Sequence, residues 1–231
     1  MRLVAAVLLI AVLCPSRRAS ADERYFALFF AHQTTDTQAE EAHTYIEFIR
    51  AEMQPNGPPI ILQRDTISWL PENTIVRLHA VRSETGRNFT LEETLQLGAG
   101  KDVYAWGPYE LTCQAYRFAL SRKAQLESGS IKYKAIDVIP GQSRYTSNCI
   151  HGAAEINPEA RRIGQYNIKF GEYATKQAIR YYVSQGFLIN PCMPYNDVYD
   201  QLGLDGRDIN RRNDWTPNIV IRTLRPKLKC N

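Results

Sequence analysis

The sequence predicts an α+β domain in which an antiparallel sheet is flanked by helices. Short apolar or alternating runs separated by turn residues fill the first part of the chain and read as consecutive strands. Capped stretches with apolar residues at helical spacing fill the middle and the later part. Strands that follow one another through short turns favour an antiparallel meander over a parallel sheet.

The elements are predicted in chain order. Arg24 to His32 (RYFALFFAH) is dense in aromatic and apolar residues and reads as a buried strand. The polar stretch Thr34 to Glu41 reads as a loop. His43 to Ala51 (HTYIEFIRA) is β-branched and aromatic and reads as a strand, because Pro55-Asn56-Gly57-Pro58-Pro59 then supplies a turn. Ile60 to Leu70 returns, Pro71-Glu72-Asn73 turns again, and Thr74 to Arg82 (TIVRLHAVR) alternates as a third strand. Thr90-Leu91-Glu92-Glu93 is a capping box that opens a short helix toward Leu97, ended by Gly98-Ala99-Gly100. A helix is expected over Pro108 to Leu126, with Gly129 as its stop. Ile131 to Ile139 alternates as a strand, and Ser147 to Ile156 reads as a short helix stopped before Pro158. Gly171 to Gly186 is a further helix, Asn190 to Trp215 is loop-like, and Pro217 to Arg225 reads as a closing strand.

Residues 1–21 have the pattern of a secretion signal. Met1-Arg2 precedes an apolar run of about a dozen residues, and Ala19-Ser20-Ala21 supplies a small-x-small end, so cleavage is expected after Ala21. The run is shorter than the roughly 20 residues that a spanning helix needs. Cys14 leaves a lipoprotein signal as an alternative, and an uncleaved anchor is another. The expectation is a secreted or periplasmic protein with residues 22–231 as one domain and no stable membrane span. Three arginines (Arg2, Arg17, Arg18) and no acid lie in the signal, so the formal net charge of +4 falls to 25 bases against 24 acids beyond it. That balance argues against nucleic acid as a partner. The basic tail (Arg222, Arg225, Lys227, Lys229) reads as a solvated end.

Four cysteines follow the signal: Cys113, Cys149, Cys192 and Cys230. No C-x-x-C occurs, and Asp205, Asp208 and Asn210 lack calcium-loop spacing, so no metal or cofactor is predicted. A bridge between Cys192 and Cys230 would tie the C-terminus down, and Cys113 is expected in the core. Asn88-Phe89-Thr90 is a glycosylation acceptor triplet.

The chemistry concentrates in Tyr145-Thr146-Ser147-Asn148-Cys149-Ile150-His151-Gly152, which follows a strand and opens a helix. With Ser147 as N-cap, Cys149 falls in the first turn, where free amides and the helix dipole favour an anion and should lower the thiol pKa. The opposing reading is a buried small hydrophobe or half of a disulfide. His43, at a strand edge, can take the thiol proton and return it to a leaving group; the plainer reading is a surface or turn histidine. His151 would point away on the helix and is taken as structural, and His32 ends its strand.

A histidine on a strand, then a meander, a helix, a strand and Asn148-Cys149-Ile150-His151 opening a helix resembles the circularly permuted branch of the NlpC-type papain-like thiol hydrolases. That branch includes the lecithin:retinol acyltransferase group, whose nucleophile lies in Asn-Cys-Glu-His. Ile150 departs from that motif, and the likeness covers about half the chain, from His43 to Glu155. It implies a permuted papain-like fold and a cysteine hydrolase or acyltransferase acting on an amide or ester. Cys149 would be the nucleophile and His43 the general base, and a cell-wall peptide or lipid ester would be the substrate. A hairpin centred near residue 56 brings His43 opposite residue 69, so Ser68 is the nearest polar group to orient the imidazole. Thr66 and Gln63 compete, and His79 is the alternative orienter. The amide of Cys149 and one neighbour would form an oxyanion hole. The rival reading is an exported non-catalytic binding or structural domain, for which 13 tyrosines and three tryptophans also suit.

Overall fold

The computed structural model describes residues 22–36, 38–137, 145–157 and 171–215. Its centre is a five-stranded sheet. Strand β1 (Asp22–Gln33) lies in the middle, paired antiparallel with β2 (His43–Met53) on one side and β6 (Asp102–Leu111) on the other. Strand β3 (Ile60–Ile67) continues beyond β2, and β9 (Asn210–Arg212) runs parallel to β6 at the far edge. The architecture is α+β with a mostly antiparallel sheet, as expected from the sequence.

Helices cover both faces of the sheet, which is why β1 is a continuous apolar run rather than an alternating one. Phe26 to Ala31 are all fully buried. Ala27, Phe29 and Ala31, with Ile46 and Phe48 of β2, join a core with helices α2 (Cys113–Glu127), α3 (Cys149–Ala154) and α4 (Gly171–Ser184). Phe26, Leu28 and Phe30, with Tyr45 and Ile49 of β2, join a second core with α1 (Leu91–Leu97) and α5 (Asn196–Asp200). Strand alternation therefore sorts odd from even positions of β2 between two helix layers. Each fully buried Phe or Ile contributes roughly 1.5–3 kcal/mol to holding the layers together.

Two small ribbons complete the described residues. Strand β4 (Trp69–Pro71) pairs with β5 (Gly86–Asn88), and β7 (Lys132–Tyr133) pairs with β8 (Thr146–Ser147). Trp69 anchors α3: its Nε1 donates to the Ser147 carbonyl at 3.1 Å, and the Gly152 Cα faces its side chain so closely that a Cβ would lie 2.9 Å from the Trp69 Cβ.

Several expectations are corrected. Thr74 to Arg82 is not a strand. Thr74 has a positive φ of 62°, and Ile75 and Val81 are 56% and 89% exposed, so the alternation does not belong to a sheet. Only Val76 and Leu78 turn inward. Asp102–Leu111 is a strand, and the helix expected from Pro108 begins at Cys113 under a Thr112 cap. Of Ile131 to Ile139, only Lys132–Tyr133 are strand within the described residues. Asn190 to Trp215 contains α5 and β9. Cys113 is exposed, not in the core. The capping box of Thr90 and Glu93 is present as read. The signal at residues 1–21, the strand at 217–225, the basic tail and Cys230 lie outside the described residues. No helix among those described is long and apolar enough to cross a membrane.

Helix α4 is seated on the backbone of β1 and β2. A Cβ on Gly171 would fall 2.6 Å from the His32 carbonyl oxygen and 3.0 Å from that of His43. Gly171→Ala should therefore cost about 1–3 kcal/mol, the usual range for overpacking, read as a lowered denaturant midpoint. An unchanged midpoint would refute this close seat.

Candidate functional site

The site begins with what fixes Cys149. Asn148 is the N-cap of α3, not Ser147 as expected: its Oδ1 accepts the His151 amide at 2.8 Å. Asn148 is held in turn by Asp137, which accepts from its backbone amide at 3.1 Å and its Nδ2 at 3.3 Å. His151 Nδ1 lies 2.7 Å from both Asp137 oxygens, and both residues are fully buried. His151 is thus structural, as expected, but it is also part of the clamp that starts the helix. Asp137 carried no sequence signal for this role; only the fold brings it to the helix mouth.

Cys149 is a half-buried residue with a free thiol at the first position of α3. The amides of Thr44, Ile150 and Cys149 itself are directed at its sulfur and favour the thiolate, as expected of a helix mouth. Burial outweighs them and pushes the thiol up to about 11, contrary to the expected lowering. Cys192 is disulfide-bonded, and its expected partner Cys230 lies outside the described residues.

His43 opens β2, and its Nε2 lies 2.8 Å from the Ser68 hydroxyl. Ser68 sits in the gap between β3 and β4. Asn88 pins it there: Asn88 Oδ1 accepts the Ser68 amide at 2.8 Å, and its Nδ2 donates to the Thr66 carbonyl and to Glu127. The amide of the glycosylation triplet is committed to this clamp. Ser68 also meets Thr94 of α1, Oγ to Oγ1, at 2.8 Å. The competitors for orienting His43 are engaged elsewhere, Thr66 with Glu47 and Gln63 with Asp65. His79 is exposed on a turn, not central in a strand.

The structure brings His43 and Ser68 together; Cys149 it brings only to the same cleft. That cleft is about 30 Å³, room for one or two waters, and is lined by His43, Thr44, Tyr133, Asn148, Cys149 and Gly171 among others. No hydrogen bond joins the thiol to the imidazole, and His43 Nδ1 is buried without a partner among the described residues. Strand parity is the reason. The His43 ring stacks on Tyr45 at 5.3 Å and meets His32 at 5.3 Å, on the face of α1. Thr44 points to the other face, where its hydroxyl reaches the Gly171 carbonyl and Thr175 of α4.

A larger cleft of about 360 Å³ opens on the other side of His43. It is lined by His32, Glu40, Glu41, Leu70, Leu97 and Lys101, and it shares Ala42, His43 and Val76 with the Cys149 cleft. Burial pushes His43 well below its ordinary range, with His32 and Lys101 adding to the effect. Burial, then Lys101, lowers His32 to about 3. Both imidazoles are neutral at physiological pH.

No family model, curated protein or solved structure matches this chain.

The two depressed histidines make stability depend on pH with a definite sign. Their contribution is fully present above the unfolded-state pKa of about 6.5 and is lost as pH falls toward about 3, because the unfolded chain takes up protons that the folded chain refuses. The loss should approach about 1.4 kcal/mol per pH unit for each histidine. His32→Phe should flatten the fall in ΔG of unfolding between pH 6.5 and 4.5; an unaltered slope would contradict the neutral burial of His32.

Proposed function

We propose that this chain is an exported cysteine hydrolase or acyltransferase of permuted papain-like type, acting on an amide or ester. Cys149 attacks the carbonyl carbon while its proton passes to His43. His43 returns that proton to the departing amine or alcohol. Water then cleaves the thioester and restores the thiol. Ser68 orients the imidazole through Nε2 and leaves Nδ1 as the nitrogen that would receive the thiol proton.

The observation that carries this reading is the setting of the sulfur. A free thiol on a half-buried residue sits at the first position of a helix, with three backbone amides hydrogen-bonding toward it, in a cleft that His43 also lines. Those amides favour the thiolate from which attack on the carbonyl would begin. A peptide or lipid ester is the substrate class suggested by the Asn-Cys-x-His resemblance.

A second reading, a non-catalytic binding or structural domain, is favoured by two specific observations. The imidazole lies on the α1 face without a hydrogen bond to the thiol, and burial holds the thiol near 11. The first reading therefore requires substrate to widen the cleft and bring the ring across the start of β2.

Alkylation of Cys149 by iodoacetamide in a Cys113→Ser background separates the readings. A working pair predicts labelling that rises at or below neutral pH and slows at least about tenfold in His43→Ala, in line with loss of a general base. Labelling that rises only near pH 11 and ignores His43→Ala favours the second reading and removes the first.

A further inference from the structure

We infer that the cleft of about 360 Å³ on the α1 side of His43 binds a small organic ammonium ion, an amine head on an apolar body. The site stands without the thiol chemistry; only its place in the reaction rests on the proposed hydrolase reading.

The volume falls at the small end of the roughly 300–1,000 Å³ that ligand sites span. Leu70, Val76 and Leu97 give the cleft apolar walls. His32 also lines it, is 3% exposed, and makes no hydrogen bond among the described residues. Its Nδ1 is sealed against Gly98, where a Cβ would lie 3.0 Å away, so Nε2 is the ring nitrogen left to meet an occupant. Thr74, at the rim, holds a φ of 62°, a left-handed conformation that a β-branched residue seldom adopts. Such strain gathers at ligand clamps.

Charge selects the class of occupant. Two carboxylates, Glu40 and Glu41, and one cation, Lys101, line the cleft. Lys101 pairs with Glu41. Glu40 is exposed and has no ion-pair partner among the described residues. Both imidazoles are neutral, so one negative charge is left unmatched. An ammonium head answers that charge while its apolar body meets Leu70, Val76 and Leu97. A carboxylate would have to face Glu40 or displace Glu41 from Lys101, and an alcohol would leave Glu40 unanswered.

In the proposed reaction this cleft receives the leaving group. The Cys149 cleft, at about 30 Å³, is too small for either half of a substrate, and His43 borders both clefts. As the thioester forms, the scissile C–N bond breaks. The nitrogen keeps the electron pair, takes the proton that His43 holds, and departs into the larger cleft, where solvent protonates the free amine. The substrate is then an amide of a small apolar amine and not an ester.

Titration of the full chain, ¹⁵N-labelled in histidine, with hexylammonium, hexanol and hexanoate tests this at neutral pH. The His32 ring signals are identified by their loss in His32→Phe. Hexylammonium should shift them saturably and bind roughly two- to fivefold more tightly than either matched compound, the scale of an exposed ion pair. Glu40→Gln, at an exposed position, should leave the fold intact and remove that advantage, with hexanol unaffected. The inference is overturned by the lack of a saturable shift at His32, by equal binding of the three compounds, by preference for hexanol or hexanoate, or by hexylammonium binding that ignores Glu40→Gln. The readout does not involve the thiol. Hexylammonium bound beside an inert Cys149 would sink the hydrolase reading alone, and a reactive Cys149 in a protein that does not bind hexylammonium would sink this inference alone.

Discussion

Alternation along β2 is the constraint on which the site depends. His32 pairs with His43, and Phe30 with Tyr45, so the two imidazoles and two aromatic rings share one face. Thr44, Ile46 and Phe48 share the other, where α3 and α4 pack. A one-residue slip in the β1–β2 register would exchange the two sets. The strand offers the imidazole to the hydroxyl chain of α1 and offers its backbone amide at Thr44 to the sulfur of α3. The candidate nucleophile and candidate base are thus held by opposite sides of the same strand end.

This arrangement leaves polar groups unpaired in the interior. Nδ1 of His32, Nδ1 of His43 and the Tyr45 hydroxyl are buried without partners among the described residues, while two clefts adjoin His43. Natural cores satisfy nearly all buried polar atoms, and departures cluster where a protein does something other than fold. Two neutral histidines side by side become costly only as pH falls below about 6.5, and what marks the His43 region is the coincidence of unpaired ring nitrogens with two adjoining clefts. Unpartnered buried atoms also occur away from His43, at Trp106 Nε1, Tyr116 Oη and Tyr181 Oη among the described residues, whereas the two ends of the candidate site are clamped. Asn88 ties three positions around Ser68, and Asp137 with Asn148 and His151 fixes the start of α3.

Much of this was legible in the residues. The apolar run of β1, the turn at Pro55–Pro59 and the capping box at Thr90 gave the meander and α1. A hairpin centred near residue 56 was enough to place Ser68 beside His43. What the sequence concealed was parity. Local pattern locates a histidine on a strand but does not tell which face will meet a helix arriving about a hundred residues later. Strand β6 was hidden because Gly107-Pro108 interrupts its alternation and resembles a helix start, although the chain bulges there and pairing with β1 resumes on either side. Thr74 to Arg82 alternates like a strand, yet no partner strand is offered to it among the described residues. The thiol misled in a different way: its helix-mouth setting does favour the anion, but burial, which only the packed structure reveals, is the larger effect.

Under the proposed thiol chemistry the two sides of β2 must converge when a substrate binds. A crystal structure of the protein acylated at Cys149 by an activated ester tests that directly. It should show a thioester whose oxygen accepts from the amides around Cys149, with His43 Nδ1 within about 4 Å of the sulfur or carbonyl. An acylated protein whose imidazole stays stacked on Tyr45, or a Cys149 that resists acylation in the folded state, would contradict it.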